Sequence, residues 1–275
     1  MKIRLGPAGI PMCCKSMNSI EGVKKIADIG LDAMEVAFTH GIYMSLKDSK
    51  KMGKAAEEVD VELSIHAPYY INLASEKQKV IDASKKRILD SLERGNLMNA
   101  TVVVVHAGYY GKDKEKARQM ILDACKEISD MIEKKGWDIK LGLETMGKQK
   151  SFGTIEEVIE ISKKIKNVIP YLDVAHLYAF NGGKINYKEI FDKLKVLKLK
   201  KYHSHLSGIK YSLEGIGRGN ERNHVPLKEG GPDYEDFAKE IMKRKINITI
   251  ISESPILEND SLLMKSVFKK LGYKF

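Results

Sequence analysis

Histidines and carboxylates follow short apolar runs along this chain, in positions where metal ligands are often held. His66 ends the run VELSIH, and His106 follows four consecutive valines. Either histidine alone would be explained more simply as a capped or partly buried ring. Eight such groups together would be costly to bury without a cation that compensates their charges and lone pairs. The candidate ligands are His66, His106, Glu144, Asp173, His176, His205, His224 and Glu253.

Histidine and carboxylate ligands without cysteine suit zinc, and are also compatible with manganese or iron. These candidates exceed the number that one zinc ion takes, so the sequence predicts at least two ions. Two ions roughly 3.5–4 Å apart can activate a water molecule and share the charge that develops on a phosphoester. The set therefore favours phosphoester chemistry.

The elements that would hold these side chains alternate regularly along the chain. Strands are predicted at residues 2–6, 33–37, 61–66, 101–106, 139–144, 168–173, 199–205 and 247–253. Amphipathic helices are predicted at residues 19–29, 45–59, 76–95, 114–135, 154–165, 186–196, 233–244 and 259–271. Repeats of a strand followed by a helix predict an α/β protein with a single (β/α)8 TIM barrel; an open doubly wound sheet is the alternative. No linker divides the sequence, so we expect one TIM-barrel domain over residues 1–275.

The carboxyl ends of barrel strands meet at one rim, where the chemistry of such barrels is found. Most candidate ligands end a predicted strand, and His176 and His224 lie in the segments after strands six and seven. The long segment 206–232 has no predicted helix and is expected to be a functional loop. Basic side chains in these loops would favour a phosphate-containing substrate. They are Lys112, Lys148, Lys150, Lys210, Arg218, Arg222 and Lys228.

Composition narrows the class of protein. The chain is 43% hydrophobic and 31% charged, which is typical of a folded rather than a disordered protein. It shows neither a secretory apolar segment nor an apolar run of the roughly 18 residues that span a membrane, so we expect a cytoplasmic protein. Its 3 cysteines form neither a disulfide framework nor a C-x-x-C pair. The net charge of +10 favours polyanionic partners, although solvated helix faces explain much of the lysine.

Several segments resemble, in the same order, the signature segments of endonuclease IV, a family of xylose-isomerase-like barrels. They are HAPYYINLAS (66–75), VVHAG (104–108), LGLET (141–145), YLDVAHLYAFNGG (171–183), HLSGIK (205–210), HVPLKEGG (224–231) and SESP (252–255). The resemblance implies a TIM barrel that binds two or three zinc ions and cleaves DNA on the 5′ side of abasic sites. It also implies that a hydroxide bridging the metals attacks the phosphate while a third zinc neutralises the leaving 3′ oxygen.

The same resemblance distributes the candidate ligands over the ions. It gives His66 and His106 to the first ion, Glu144 to the first and second, Asp173, His205 and Glu253 to the second, and His176 and His224 to the third. Under this assignment Glu144 and Glu253 are the catalytic carboxylates.

Two features depart from the family's pattern. The family has an Asp-x-His pair at the third ion, whereas the segment ERNHVPL places Arg222 where the aspartate is expected, with Glu221 as a carboxylate that could replace it. The segment FTHGIYMS (38–45) replaces one that in the family inserts an arginine into DNA, and Tyr43 lies near that position. Tyr69 matches a tyrosine that the family uses as a wedge. The residues expected to contact DNA are Tyr69, Tyr43, Arg222 and Lys210.

Two other functions fit part of the same set. A sugar isomerase or epimerase of the xylose-isomerase-like barrels would bind one divalent metal through Glu144, Asp173, His205 and Glu253. Such an enzyme has no need of the remaining four histidines, which favours the nuclease. A barrel that binds damaged DNA or a phosphorylated ligand without cleaving it is the third alternative, suggested by the substitution at Arg222. The predicted partner is DNA with abasic sites, without a membrane or an obligate protein partner.

Overall fold

The computed structural model describes residues 1–16 and 18–275. The strands in these residues are β1 (Ile3–Pro7), β2 (Ala33–Ala37), β3 (Glu62–His66), β4 (Val102–Val105), β5 (Lys140–Glu144), β6 (Val168–Asp173), β7 (Tyr202–Leu206), β8 (Gly208–Leu213), β9 (Gly219–Val225) and β10 (Ile248–Ser252). All except β8 and β9 form one parallel sheet of 8 strands, in the order β1-β10-β7-β6-β5-β4-β3-β2. The predicted (β/α)8 TIM barrel is confirmed.

Helices connect the barrel strands and cover the outside of the sheet. They are α1 (Ser19–Asp28), α2 (Leu46–Glu58), α3 (Gln78–Leu97), α4 (Lys114–Lys135), α5 (Ile155–Lys164), α6 (Val174–Phe180), α7 (Tyr187–Leu194), α8 (Tyr234–Arg244) and α9 (Glu258–Lys270), with a 3-10 helix at Lys195–Leu197. Most of their starts are fixed by side-chain caps, such as the capping box of Thr154 and Glu157 at α5, whereas α3 and α9 begin without one. None of the helices in the described residues combines the length and apolarity of a membrane span.

The first two strands complete the cylinder through close backbone approach. Ala8 lies just beyond β1 and forms a parallel bridge with Glu35 of β2. A Cβ atom at Gly6 would lie 1.6 Å from the carbonyl oxygen of Ala33, so any side chain there would push the two strands apart. Glycine at this position therefore allows the barrel to close.

The strand β4 shows how alternation aims the site residues. Val103 and Val105 belong to the main core between sheet and helices, whereas Val102 and Val104 pack with Tyr171 in a separate interior cluster. Successive side chains of a strand point to opposite faces. His106 continues the parity of the inward-facing valines, so its ring is directed toward the barrel axis at the carboxyl rim.

The segment 206–232 differs from the predicted loop. It contains the antiparallel hairpin of β8 and β9, a separate two-stranded sheet. Its second strand reads GNERNHV, which lacks the apolar alternation that marks a half-buried strand, so the sequence pattern gave no sign of it. The short helix α6 was also not predicted; it begins because the Asp173 side chain accepts a hydrogen bond from the His176 backbone N–H.

Candidate metal centre

The barrel strands bring all the candidate ligands to one rim. His66, Glu144 and Asp173 end their strands, His106 and Glu253 follow theirs directly, and His205 lies in β7, while His176 is carried by α6 and His224 by β9. Five of them are buried and the other three, His106, His224 and Glu253, are partly exposed. Side chains far apart in sequence are thus collected at the carboxyl end of the barrel.

The first donor group consists of His66, His106 and Glu144. The Nε2 atoms of His106 and His66 lie 2.9 and 3.5 Å from Oε2 of Glu144. His66 Nδ1 lies 2.7 Å from the Ala67 carbonyl oxygen, to which it donates, and this leaves Nε2 as the free ring nitrogen. His66 Nε2 and Glu144 Oε2 are both buried without a well-oriented hydrogen bond among the described residues.

The second donor group consists of Glu144, Asp173, His205 and Glu253. His205 Nδ1 lies 3.2 Å from Glu144 Oε1, 3.4 Å from Glu253 Oε2 and 3.9 Å from Asp173 Oδ2. Three carboxylates converging on one ring nitrogen repel one another unless a cation lies between them. Glu144 contributes one oxygen to each group and therefore joins the first to the second.

The third donor group consists of Asp173, His176 and His224. The rings of His176 and His224 have centroids 5.3 Å apart. His176 Nδ1 lies 3.0 Å from the Thr145 carbonyl oxygen and 3.5 Å from Asp173 Oδ2. His224 Nδ1 is hydrogen-bonded to the Ser207 hydroxyl, so Nε2 of each ring is available to a ligand.

The donor atoms fit a divalent transition metal. Two nitrogen or oxygen ligands about 2.0–2.2 Å from one zinc ion lie roughly 3.4 Å apart at the tetrahedral angle, close to the distances above. Burial lowers the pKa of His66, but its contact with Glu144 and the negative charges of the carboxylates around it outweigh burial and raise that pKa to about 9. The surrounding carboxylates thus favour a positive charge at this position, and a proton and a metal ion compete for the lone pair of the ring.

Glu35 belongs to this centre and was not predicted from the sequence. Its side chain is fully buried on β2, and its Oε1 lies 2.9 Å from His205 Nε2. Its Oε2 accepts hydrogen bonds from the hydroxyls of Ser64 and Tyr171, at 2.9 and 3.2 Å. Because Glu35 accepts the Nε2 proton of His205, it leaves Nδ1 facing the carboxylates of the second group. The sequence signal that could have identified Glu35 is its position, as a charged residue, in the middle of the apolar strand AMEVA.

Burial raises the pKa of the Glu35 carboxyl, but the charge of His205 and its hydrogen bond outweigh burial, so this pKa lies below its usual value. At Glu253 burial also raises the pKa, but there the nearby histidines do not outweigh it, and the pKa is raised to about 7. Two carboxyls that contact the same imidazole therefore differ in protonation near neutral pH.

A cavity of about 420 Å³ opens above the three donor groups. Its wall includes Tyr69, Lys148 and Arg222, together with the partly exposed ligands. The ring of Tyr69 stacks on His106 with centroids 5.6 Å apart. Tyr43 and Lys210, the other residues expected to contact DNA, do not line this cavity: Tyr43 packs edge-on against Phe38, and Lys210 is exposed on β8.

Comparisons with known proteins agree with this architecture. The sequence profile of the family described as xylose isomerase-like TIM barrel matches residues 23–267. An uncharacterized protein of Methanocaldococcus jannaschii is 33% identical over 97% of each chain. A probable endonuclease 4 of Aquifex aeolicus is 27% identical over 72% of this chain and 77% of its own.

Solved structures of two kinds share the fold. The crystal structure of a D-tagatose 3-epimerase-like protein is 25% identical, with a TM-score of 0.74 over 98% of this chain and 96% of that chain. Endonuclease IV from Thermus thermophilus is 19% identical, with a TM-score of 0.71 over 97% of this chain and 98% of that chain. The family profile spans most of the sequence and the barrel is the expected one. The chain therefore belongs to the xylose isomerase-like TIM barrel family.

Proposed function

We propose that this protein is a metal-dependent phosphodiester hydrolase of the endonuclease 4 type, which cleaves DNA on the 5′ side of abasic sites and uses zinc. One observation carries the proposal. The second donor group would be enough for one ion, yet further histidines at the same rim supply two more groups. These histidines are His66, His106, His176 and His224. Phosphodiester hydrolysis uses a site for more than one ion. A one-metal enzyme does not need such a site.

Bound divalent ions would polarise the phosphate, activate a water molecule and offset the negative charge that develops on phosphorus. The chain's own part is to hold the donors and to move protons. Glu144 keeps the first two groups in a fixed relation, because its two oxygens face different histidines. Glu253 is the partly exposed carboxylate of the second group and lines the cavity, so it is the one that can accept a hydrogen bond or a proton from a water molecule there. Its Oε2 also lies 3.9 Å from His224 Nε2, at the border of the third group.

The wall of the cavity suits a nucleic-acid backbone. Lys148 and Arg222 place positive charge beside the donor groups, where a phosphate would lie. Tyr69 is 48% exposed and offers an aromatic face next to His106, which suits stacking beside an abasic gap. Tyr43 and Lys210 would contact the duplex outside the cavity. The relationship to a probable endonuclease 4 over 72% of this chain supports the same substrate class.

Epimerisation of a ketose sugar is the second candidate. It is favoured by the likeness to the D-tagatose 3-epimerase-like protein and by the completeness of the second donor group alone. In that reaction Glu144 and Glu253 would exchange protons with carbon on a metal-held sugar. The first and third groups would then have no assigned role, which is why we rank hydrolysis first.

One experiment separates the candidates. The zinc-loaded or manganese-loaded protein is incubated with an end-labelled duplex that carries a single tetrahydrofuran abasic analogue, and in parallel with D-fructose or D-tagatose. A nick on the 5′ side of the lesion is expected. Conversion of the sugar without a nick would replace the hydrolase by the epimerase. Retention of the duplex in a gel-shift assay without product would indicate a binding protein that does not cleave.

A matched pair of variants tests whether any nicking comes from this site. Glu144→Gln removes the charge that joins the first two groups, and nicking should fall by at least 100-fold because both groups lose a ligand. Glu58→Gln makes the same chemical change on the exposed face of α2, away from the rim. It should keep full activity. Equal activity of the two variants would show that the nicking belongs to a contaminant.

A further inference from the structure

The hairpin of β8 and β9 contains a β-bulge that changes which side chain faces the metal centre. Ile209 pairs with His224, but Tyr211 pairs with Glu221, so Arg222 is an extra residue between the paired positions. Ile209 and Tyr211 lie two residues apart and share one face of the hairpin. Their partners His224 and Glu221 therefore share that face as well, and Arg222 is displaced from it. Re-aiming one side chain is a recognised effect of a bulge.

The carboxylate of Glu221 reaches the third donor group as a result. Its Oε2 lies 3.2 Å from His176 Nε2, and this oxygen is buried without a hydrogen-bond partner among the described residues. Its Oε1 lies 3.1 Å from the ammonium group of Lys148. Lys148 thus holds one oxygen and turns the other toward the histidine, as a supporting group commonly does for a ligating carboxylate.

The neighbouring backbone makes room for this carboxylate. A Cβ atom at Gly147 would lie 2.2 Å from Glu221 Oε2, so no other residue fits there without displacing it. The Glu221 backbone N–H donates to the Gly147 carbonyl oxygen at 2.8 Å, which fixes the distance between the hairpin and the loop after β5. Two separate segments therefore cooperate to place a single oxygen.

The two facing atoms call for a cation between them. His176 Nδ1 donates to the Thr145 carbonyl oxygen, so its Nε2 presents a lone pair to Glu221 Oε2. Their separation of 3.2 Å is close to the roughly 3.4 Å expected of two ligands on one tetrahedral zinc ion. We propose that Glu221 is a metal ligand, which holds an ion together with His176 at a site that the bulge at Arg222 creates.

The proposal rests on the metal dependence of the proposed function but not on its substrate. Its test counts metal ions by inductively coupled plasma mass spectrometry on protein dialysed against a zinc buffer, without any activity measurement. Glu221→Gln should bind one equivalent less than the wild type, while the other ions remain. Glu214→Gln, on the same hairpin and exposed, is the matched control and should keep the wild-type number.

Two further measurements keep the result interpretable. Thermal melting of each metal-free variant shows whether it folds, and Glu221→Asp, which retains a carboxylate on a shorter stem, should bind the ion more weakly rather than lose it. Substitution with Co²⁺ adds a spectroscopic count, because one visible absorption component should disappear in Glu221→Gln. A folded Glu221→Gln with the wild-type metal content overturns this inference alone. A wild-type protein that binds no metal overturns the proposed function as well.

Discussion

Replacing Glu35 by glutamine should weaken metal binding at the second donor group although none of the candidate ligands is substituted. The hydroxyls of Ser64 and Tyr171 both donate to Glu35 Oε2, so the glutamine carbonyl oxygen would take that position. The amide NH₂ group would then face His205 Nε2, 2.9 Å away in the wild type. That nitrogen would have to accept, which moves the ring proton to Nδ1. Nδ1 is the atom that faces Glu144 and therefore the one an ion would use.

The expected magnitude follows from the role of such partners. Loss of the group that orients a histidine ligand costs about 10–100-fold in metal affinity, or about 1.4–2.7 kcal/mol. We expect the upper part of this range for Glu35→Gln, because the change of tautomer adds to the loss of a buried charge-assisted hydrogen bond. Competition between the protein and a chromophoric zinc chelator measures the affinity directly.

Ser64→Ala is the control for Glu35→Gln. It removes one hydroxyl contact to the same carboxylate but leaves the bond to His205 in place, so zinc affinity should change by less than about threefold. If a folded Glu35→Gln protein binds every zinc ion as tightly as the wild type, then His205 is not held in its tautomer by Glu35 and the reasoning fails.

Three other predictions concern separate parts of the molecule. Gly147→Ala should expel the Glu221 carboxylate and lower the free energy of unfolding by about 1–3 kcal/mol, measured by urea denaturation, because its Cβ would lie 2.2 Å from Oε2. Arg222→Ala should weaken binding to an abasic duplex and reduce the slope of log K against log salt concentration by about 0.9; an unchanged slope would remove Arg222 from the interface. Glu157→Gln should lower the free energy of unfolding by about 2–3 kcal/mol at neutral pH, because the buried carboxylate accepts from the Tyr110 hydroxyl at 2.6 Å and from backbone N–H groups. Burial raises the pKa of Glu157, but these hydrogen bonds outweigh burial and lower it. The difference in the free energy of unfolding between Glu157→Gln and the wild type should therefore shrink as the pH falls below 4.5 and through the folded-state pKa. A difference that stays constant with pH would contradict this.

The barrel and the gathering of the candidate ligands at one rim could be predicted from the sequence because both depend on local periodicity. Strands buried on two faces read as short apolar runs, and the residue at the end of such a run must lie at the carboxyl rim. The valines before His106 are the clearest example. Glycine-rich and polar segments carry less of this signal, which is why the hairpin of β8 and β9 was interpreted as a loop.

Other features depend on contacts between distant residues and leave no periodic trace. Glu35 reaches His205 across the interior of the barrel, 170 positions away in sequence. The bulge at Arg222 arises from pairing between the two hairpin strands, and spacing alone did not decide whether Glu221 or Arg222 faces the site. The direction in which a loop presents its side chains also depends on distant contacts. The sequence therefore predicted that Tyr43 and Lys210 contact DNA together with Tyr69, although of these three Tyr69 alone lines the cavity.

Asp173 connects parts of the centre that would otherwise adjust separately. One of its oxygens caps the helix α6 by accepting from the His176 backbone N–H at 2.6 Å, while the other faces His176 Nδ1 and His205 Nδ1. A rotation of this carboxylate toward one ion would uncap the helix that presents a ligand to another. The second and third donor groups therefore depend on a single orientation of Asp173, so a substitution of this carboxylate is expected to disturb both groups at once.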